Sequence, residues 1–261
     1  MTTEEHLEKV GGELANSSDT PGRPSKMKIA RFVDMKACES IFSEFSTFVL
    51  RSATHYRRLY ETGKGDAEEL RVRTAGGGSA QMTFFALSCW TMLDGDDPTQ
   101  DEWNTFPDSV VAIISTPVRV CTFLEEAFPR GESRRHPFMF VEHKEVRYAD
   151  EVLDKITQDN IMDITLFTKR KRFVRQKEYR FALSFSPVTH TIDSYIFSPK
   201  SPTDYMDKCW ANPAMRTEDK ERLWLILMNA NCGYGHFSRW KLCEIIANSG
   251  ILLDKQPGAE H

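Results

Sequence analysis

Met82-Thr-Phe-Phe-Ala-Leu-Ser-Cys-Trp90 is the stretch on which the fold turns. Its apolar and aromatic side chains run on with no polar face, the pattern of a strand buried on both sides. Ser88 is expected to end it. A strand of this kind needs neighbours, and the chain offers several. Ser109–Ser115 (SVVAIIS) reads as a second buried strand, while Glu178–Phe185 (EYRFALSF) and His190–Phe197 (HTIDSYIF) alternate as half-buried strands do. Shorter extended pieces are KIARFV (Lys28–Val33), STFVLR (Ser46–Arg51), FMFV (Phe138–Val141) and EVRY (Glu145–Tyr148).

Helices fill the intervals. Asp34 is placed to cap a helix that buries Ala37, Cys38, Ile41, Phe42 and Phe45, because its short carboxylate can accept from the first free backbone N–H groups. A polar, helix-compatible stretch lies between STFVLR and the Gly-rich loop Ala75–Ser79. Pro98 to Phe106 reads as a short helix, and Thr116-Pro117 opens an amphipathic one through Phe128, since proline costs nothing at the first helical position. Asp150–Ile156 (DEVLDKI) is helical in pattern. Thr217 and Ser238 can cap two closing helices, the first burying Leu223, Ile226, Leu227 and Ala230, the second presenting Leu242, Cys243 and Ile246. Strands and helices do not alternate as βαβ units, and no GxGxxG or phosphate-binding loop follows a strand. The expected fold is therefore α+β, a single domain with a mixed, largely antiparallel sheet flanked by helices.

Length and composition agree with one core. The 261 residues include 17 Phe, 5 Trp and 7 Tyr, more than enough apolar surface for a sizeable interior. Residues 1–26 are rich in Glu, Ser, Gly, Thr and Pro and are expected to form a flexible tail; 27–254 are expected to form the globular domain, and 255–261 a second tail. Against 34 basic side chains stand 38 acidic ones, a net charge of −4, so overall attraction to nucleic acid or an acidic membrane is not expected. No run of apolar residues is long enough to span a bilayer and residues 1–30 lack the apolar core of a secretory signal, so neither a membrane span nor a signal peptide is expected. The six cysteines, Cys38, Cys89, Cys121, Cys209, Cys232 and Cys243, form no CxxC pair. Reduced thiols in a cytoplasmic protein are the expectation.

Asp94, Asp96, Asp97, Asp101 and Glu102 form an acidic cluster suited in composition to magnesium or calcium, yet without EF-hand spacing; a solvated loop capping the next helix is the better account, and no metal is expected. Lys169, Arg170, Lys171, Arg172 and Arg175 make the densest basic patch. Phe173 interrupts it, so the patch can hold the phosphates of a nucleotide or nucleic acid, or can be a basic turn leading into a strand. A hydrolase built on Ser88 or Cys89 would need a positioned histidine, and none of the seven falls in a nucleophile elbow or an HExxH motif. A more informative set is Arg31 on the first strand, Ser88 on the aromatic strand, and Gln176 with Glu178 opening a later one. Two residues apart in an extended chain, Gln176 and Glu178 would face the same way. If they border a cleft, the carboxylate can hold a sugar hydroxyl, the amide can address a second substrate, and Arg31 can pair with a phosphate; otherwise Glu178 and Arg180 simply form surface pairs across the sheet.

The order FALSCW (Phe85–Trp90), DEWNTF (Asp101–Phe106), VVAIIST (Val110–Thr116), HKEVRY (His143–Tyr148) and QKEYRF (Gln176–Phe181) resembles the bacterial Domain of Unknown Function 2971 family over roughly Lys28 to Phe185. SATHYRRLYE stands where that family usually has Asn-Asp-Pro. More remotely, Arg31, Ser88 and Gln176-Lys177-Glu178 resemble the Arg-Ser-Glu type of ADP-ribosyltransferase, with Ser88-Cys89-Trp90 in place of Ser-Thr-Ser. The second resemblance implies NAD as substrate. Arg31 would lie on its phosphate or ribose, Ser88 on the nicotinamide-side ribose, and Glu178 on the ribose 2′-hydroxyl, with Gln176 orienting an unknown acceptor and Trp90 or Phe85 stacking on the nicotinamide. The first implies a role in conflict among bacteria, phages and hosts. Beside the transferase stand two other readings: a non-catalytic nucleotide or nucleic-acid binding module using the basic patch, and a magnesium-dependent nuclease-like effector.

Overall fold

Strand β5 (Phe85–Met92) is the axis of the molecule, as its composition requires, and the computed structural model describes residues 27–42, 47–61, 71–73, 79–81, 85–128, 138–150, 161–185, 194–197, 199 and 204–233 around it. In chain order the elements before it are β1 (Ile29–Val33), α1 (Met35–Ile41), β2 (Phe48–Ser52), α2 (Ala53–Glu61), β3 (Arg71–Arg73) and β4 (Ser79–Gln81). After it come α3 (Gln100–Thr105), β6 (Val111–Ser115), α4 (Pro117–Ala127), β7 (Phe138–Glu145), β8 (Arg147–Tyr148), α5 (Ile161–Phe167), β9 (Thr168–Lys169), a 3₁₀ turn (Lys171–Gln176), β10 (Glu178–Phe185), β11 (Ser194–Phe197), β12 (Lys208–Ala211) and α6 (Thr217–Gly233).

Eight strands form one sheet, every pairing in it antiparallel: β11, β2, β5, β1, β6 and β12 in path order, with β10 on β5 and β7 on β10. The α+β class read from the sequence is the one the chain adopts. One edge of β5 pairs with β10 along its length, from Glu178 opposite Thr91 to Ser184 opposite Phe85. Its other edge is shared. β2 takes Ala86 and Leu87, and β1 takes Thr91 and Met92, so the sheet parts at Ser88, Cys89 and Trp90. Ser88 therefore does not end the strand, which runs four residues further to Met92; Thr91 and Met92 still have partners on both edges, so nothing in the ladder stops the strand at the serine.

Helix boundaries follow their caps. Asp34 accepts from the Ala37 N–H at 2.7 Å and starts α1. Thr99 and Glu102 form a reciprocal capping box on α3, and Thr116 with Pro117 opens α4. The acidic loop is put to structural use: Glu102 is buried in the capping box, Asp94 pairs with Lys177, and Asp97 accepts from Lys208 and from the Trp210 indole at 2.7 Å. Phe45, the helix expected from Asp150, apart from Asp150 itself, and the one expected from Ser238 lie outside the described residues, as do both tails.

Alternation along the strands sorts the core into two faces. Ile29, Phe48, Leu50, Trp90, Ile113, Tyr179, Phe181 and Cys209 gather on the face covered by α1, α4 and α6, through Cys38, Ile41, Val120, Phe123, Leu124, Leu223 and Leu227. The opposite face holds Phe85, Leu87 and Ala182 against Tyr56 of α2 and Leu166 and Phe167 of α5, and, further along, Ala30, Ala112 and Ile114 against Trp103 of α3. Among the described residues no helix is long and apolar enough to cross a membrane.

Candidate functional site

Where β1 and β2 diverge, the sheet leaves a cleft of about 180 Å³ whose lining includes Arg31, Tyr56, Cys89, Trp90 and Phe106 together with Lys169, Gln176 and Glu178. Arg31 fills the fork itself. Its Nη2 donates to the Val49 carbonyl of β2 at 3.0 Å, and its guanidinium lies 5.5 Å from the Phe48 ring. Burial pulls its pKa down, and the neighbouring Arg51 pulls the same way.

Glu178 opens β10 and shares with Arg180 the face that carries Cys89 and Thr91. Arg180 is wholly buried, donating from Nε to Glu178 Oε1 at 2.7 Å, from Nη2 to Oε2 at 3.3 Å, and from Nη1 to the Leu166 carbonyl at 2.7 Å. That carbonyl lies in the last turn of α5, where a cation is favoured by the helix dipole. Lys169 Nζ closes the cluster, 3.0 Å from Glu178 Oε2 and 2.9 Å from Gln176 Oε1. The Glu178 N–H donates to the Tyr148 hydroxyl at 2.8 Å. Burial pushes the Glu178 carboxyl up, but Arg180 and Lys169 together outweigh it and hold the group well below the usual carboxylate range. Burial also pushes the Tyr148 phenol up to about 12, leaving it a neutral hydrogen-bonding group.

Gln176 and Glu178 do come together, though by a different route from the expected extended pair. Gln176 is the last residue of the 3₁₀ turn, and Lys177 is left-handed (φ 42°, ψ 49°), an uncommon conformation for a side-chain-bearing residue. The chain reverses there, and Lys169 bridges the two side chains. Ser88 is not with them. The pleat points it to the opposite face, where its Oγ accepts from the Trp90 indole N–H at 2.9 Å in the apolar core. Cys89 takes its place in the cleft, half-buried, with Sγ 3.0 Å from the Tyr56 hydroxyl.

Of the two aromatics expected to stack on a ring, Phe85 is packed away from the cleft, whereas Trp90 lines it while almost wholly buried. Phe85 is 1% exposed under α2 and α5, and Trp90, also 1% exposed, spends its indole on Ser88. Phe32 and Phe106 also line the cleft, their rings stacked at 4.7 Å. The basic patch divides: Lys169 belongs to the cleft wall and Arg170 is half-buried, whereas Lys171, Arg172 and Arg175 are exposed on the 3₁₀ turn, Arg172 lying 4.6 Å from the Phe173 ring. Among the described residues no three metal-ligating side chains come together.

Tyr56 and Tyr148 are the site residues that sequence reading passed over, Cys89 having been weighed only as a hydrolase nucleophile and Arg180 only as a surface partner of Glu178. Arg180 alone carried a usable signal, two residues beyond Glu178 on an alternating strand. Compared with protein-family models, with curated proteins and with solved structures, the chain matches none.

Proposed function

We propose that the cleft binds NAD and that the chain is an ADP-ribosyltransferase-like enzyme with Glu178 as its catalytic carboxylate. One observation carries the reading: Arg31, at the start of the chain's sheet, and Glu178, at the head of β10, line the same cleft at the fork between β1 and β2. A cleft of about 180 Å³ is smaller than the several hundred Å³ usual for whole ligands, so it suits the nicotinamide-ribose end, with the rest of the dinucleotide crossing its open rim.

In this mechanism Arg31 pairs with a phosphate and Glu178 accepts a hydrogen bond from the ribose 2′-hydroxyl. As the bond from C1′ to the nicotinamide nitrogen breaks, its electron pair leaves with nicotinamide and positive charge grows on the ribose. An ionised Glu178, already fixed by Arg180, stabilises that charge more than it stabilises the ground state. An acceptor hydroxyl or water oriented by Gln176 then attacks C1′, the new C1′–O bond replacing the one lost to nicotinamide, and its proton passes to solvent water. Ser88 has no part in this scheme, since it lies on the other face.

Nicotinamide released from NAD, measured by chromatography, tests the proposal. The native chain should release it, and Glu178→Gln should lower the rate roughly a hundredfold or more, the scale of removing one electrostatic stabiliser. Because Glu178 is buried among cations, folding is read in parallel by circular dichroism, and Gln176→Ala, at a half-buried position, serves as the variant that changes acceptor use without threatening the fold. No release by the native chain removes the enzyme. A non-catalytic nucleotide-binding module is the second reading, favoured by the engagement of both Glu178 oxygens in ion pairs; it predicts binding of NAD without turnover.

A further inference from the structure

We propose that Lys169 makes the cleft select phosphate-bearing nucleosides, its ammonium serving as a removable counter-ion of Glu178 that transfers to a phosphate oxygen when such a ligand enters. This rests on the reading of Glu178 as the ribose-binding carboxylate. Three features of the cluster carry it.

The first is redundancy. Arg180 contacts both oxygens of Glu178, at 2.7 and 3.3 Å, and cannot leave, being fully buried and tied to the Leu166 carbonyl. The carboxylate therefore keeps a counter-charge when Lys169 moves. The second is charge balance: two cationic side chains, Arg31 and Lys169, line the cleft against one carboxylate, Glu178, among the described residues. An entering anion is thus attracted, whereas an uncharged nucleoside is not. The third is obstruction. Lys169 Nζ sits on Glu178 Oε2, the oxygen not held by the Arg180 Nε, and also on Gln176 Oε1. While it stays there it competes with a ribose hydroxyl for one groove of the carboxylate and with an acceptor for the amide. Lysine suits such an exchange, since its charge is a point at the end of a flexible stem and not a planar fork.

A phosphate thus does two things: it binds Lys169, and by doing so it frees the oxygens of Glu178 and Gln176. Nicotinamide mononucleotide and nicotinamide riboside, which differ by a single phosphate, separate these effects. Calorimetric titration of the full chain should give tighter binding of the mononucleotide. In Lys169→Met that affinity should fall roughly tenfold or more, the scale of one charge-assisted hydrogen bond, while the riboside binds as well as before or better because the carboxylate is uncovered. Lys169→Arg should keep the mononucleotide within a few-fold. Thermal melts of both variants verify folding.

An equal loss for both ligands would mean that Lys169 only holds Glu178 in place, and would overturn the inference; so would no change in either, or a native chain that does not prefer the mononucleotide. Nicotinamide release is scored separately. A chain that binds the mononucleotide through Lys169 and releases nothing upholds this inference and defeats the transferase, whereas release from NAD that Lys169→Met leaves unaltered in KM does the reverse.

Discussion

Ser88 and Cys89 are neighbours in sequence and belong to different worlds. Ser88 shares a largely apolar layer with Trp90, Tyr179 and Phe181 and accepts from the Trp90 indole. Cys89 faces a cleft with Glu178, Arg180, Lys169 and Tyr56 around it. The same two strands, β5 and β10, thus carry a core on one side and an ionic cluster on the other. The apolar face is held mainly by burial. The polar face is held by charges that compensate one another, so removing a single member is costly. Along the first half of β10, parity separates the ion-paired Glu178 and Arg180 from the core residues Tyr179 and Phe181.

The largest break comes from the polar face. Arg180→Met leaves Glu178 buried with only Lys169 and should cost about 3–5 kcal/mol in chemical denaturation, while adding Glu178→Leu should recover much of it, because a matched apolar pair can stand in for a buried ion pair. Trp90→Ala on the apolar face should cost a similar ~3–5 kcal/mol, with no partner replacement able to recover it. Ser88→Ala comes next. It leaves the Trp90 N–H without its acceptor and should cost about 1–3 kcal/mol while nicotinamide release is unchanged.

Acid distinguishes the faces without mutation. The folded-state pKa of Glu178 is depressed below its unfolded value, so its contribution is fully present above the unfolded pKa of about 4.5 and is lost as pH falls from there toward the folded pKa. Stability measured against pH should hold from neutral to about pH 5 and then drop, and Glu178→Gln should show a shallower drop. The smallest effect is that of Gln176→Ala, which removes one hydrogen bond to Lys169 and should cost about 0.5–1.5 kcal/mol; the measurable change should be in the ratio of transfer to hydrolysis.

Much of the fold was legible because its signals are local. The run at Phe85–Trp90, the caps at Asp34 and Thr116, and the alternation of EYRFALSF each depend on a few adjacent residues. Arg31, Gln176 and Glu178 were singled out from their order and from the two-residue spacing of the last two, and all three line one cleft. What sequence reading could not supply was register. That β2 and β1 share one edge of β5 depends on pairings between distant segments, and this fork decides that Cys89, not Ser88, reaches the cleft. Likewise Lys169 meets Glu178 only because the 3₁₀ turn and a left-handed Lys177 fold the chain back.

Alkylation of individual cysteines tests most directly that the ligand binds on the polar face. Cys89 lines the cleft and Cys121 sits on α4, across the sheet, both half-buried. Mass spectrometry of single peptides after iodoacetamide treatment, with and without saturating ADP-ribose, should show labelling of Cys89 slowed about tenfold or more and labelling of Cys121 unaltered. Equal labelling of Cys89 in the two samples would contradict the account, since a ligand held between Arg31 and Glu178 must cover that thiol.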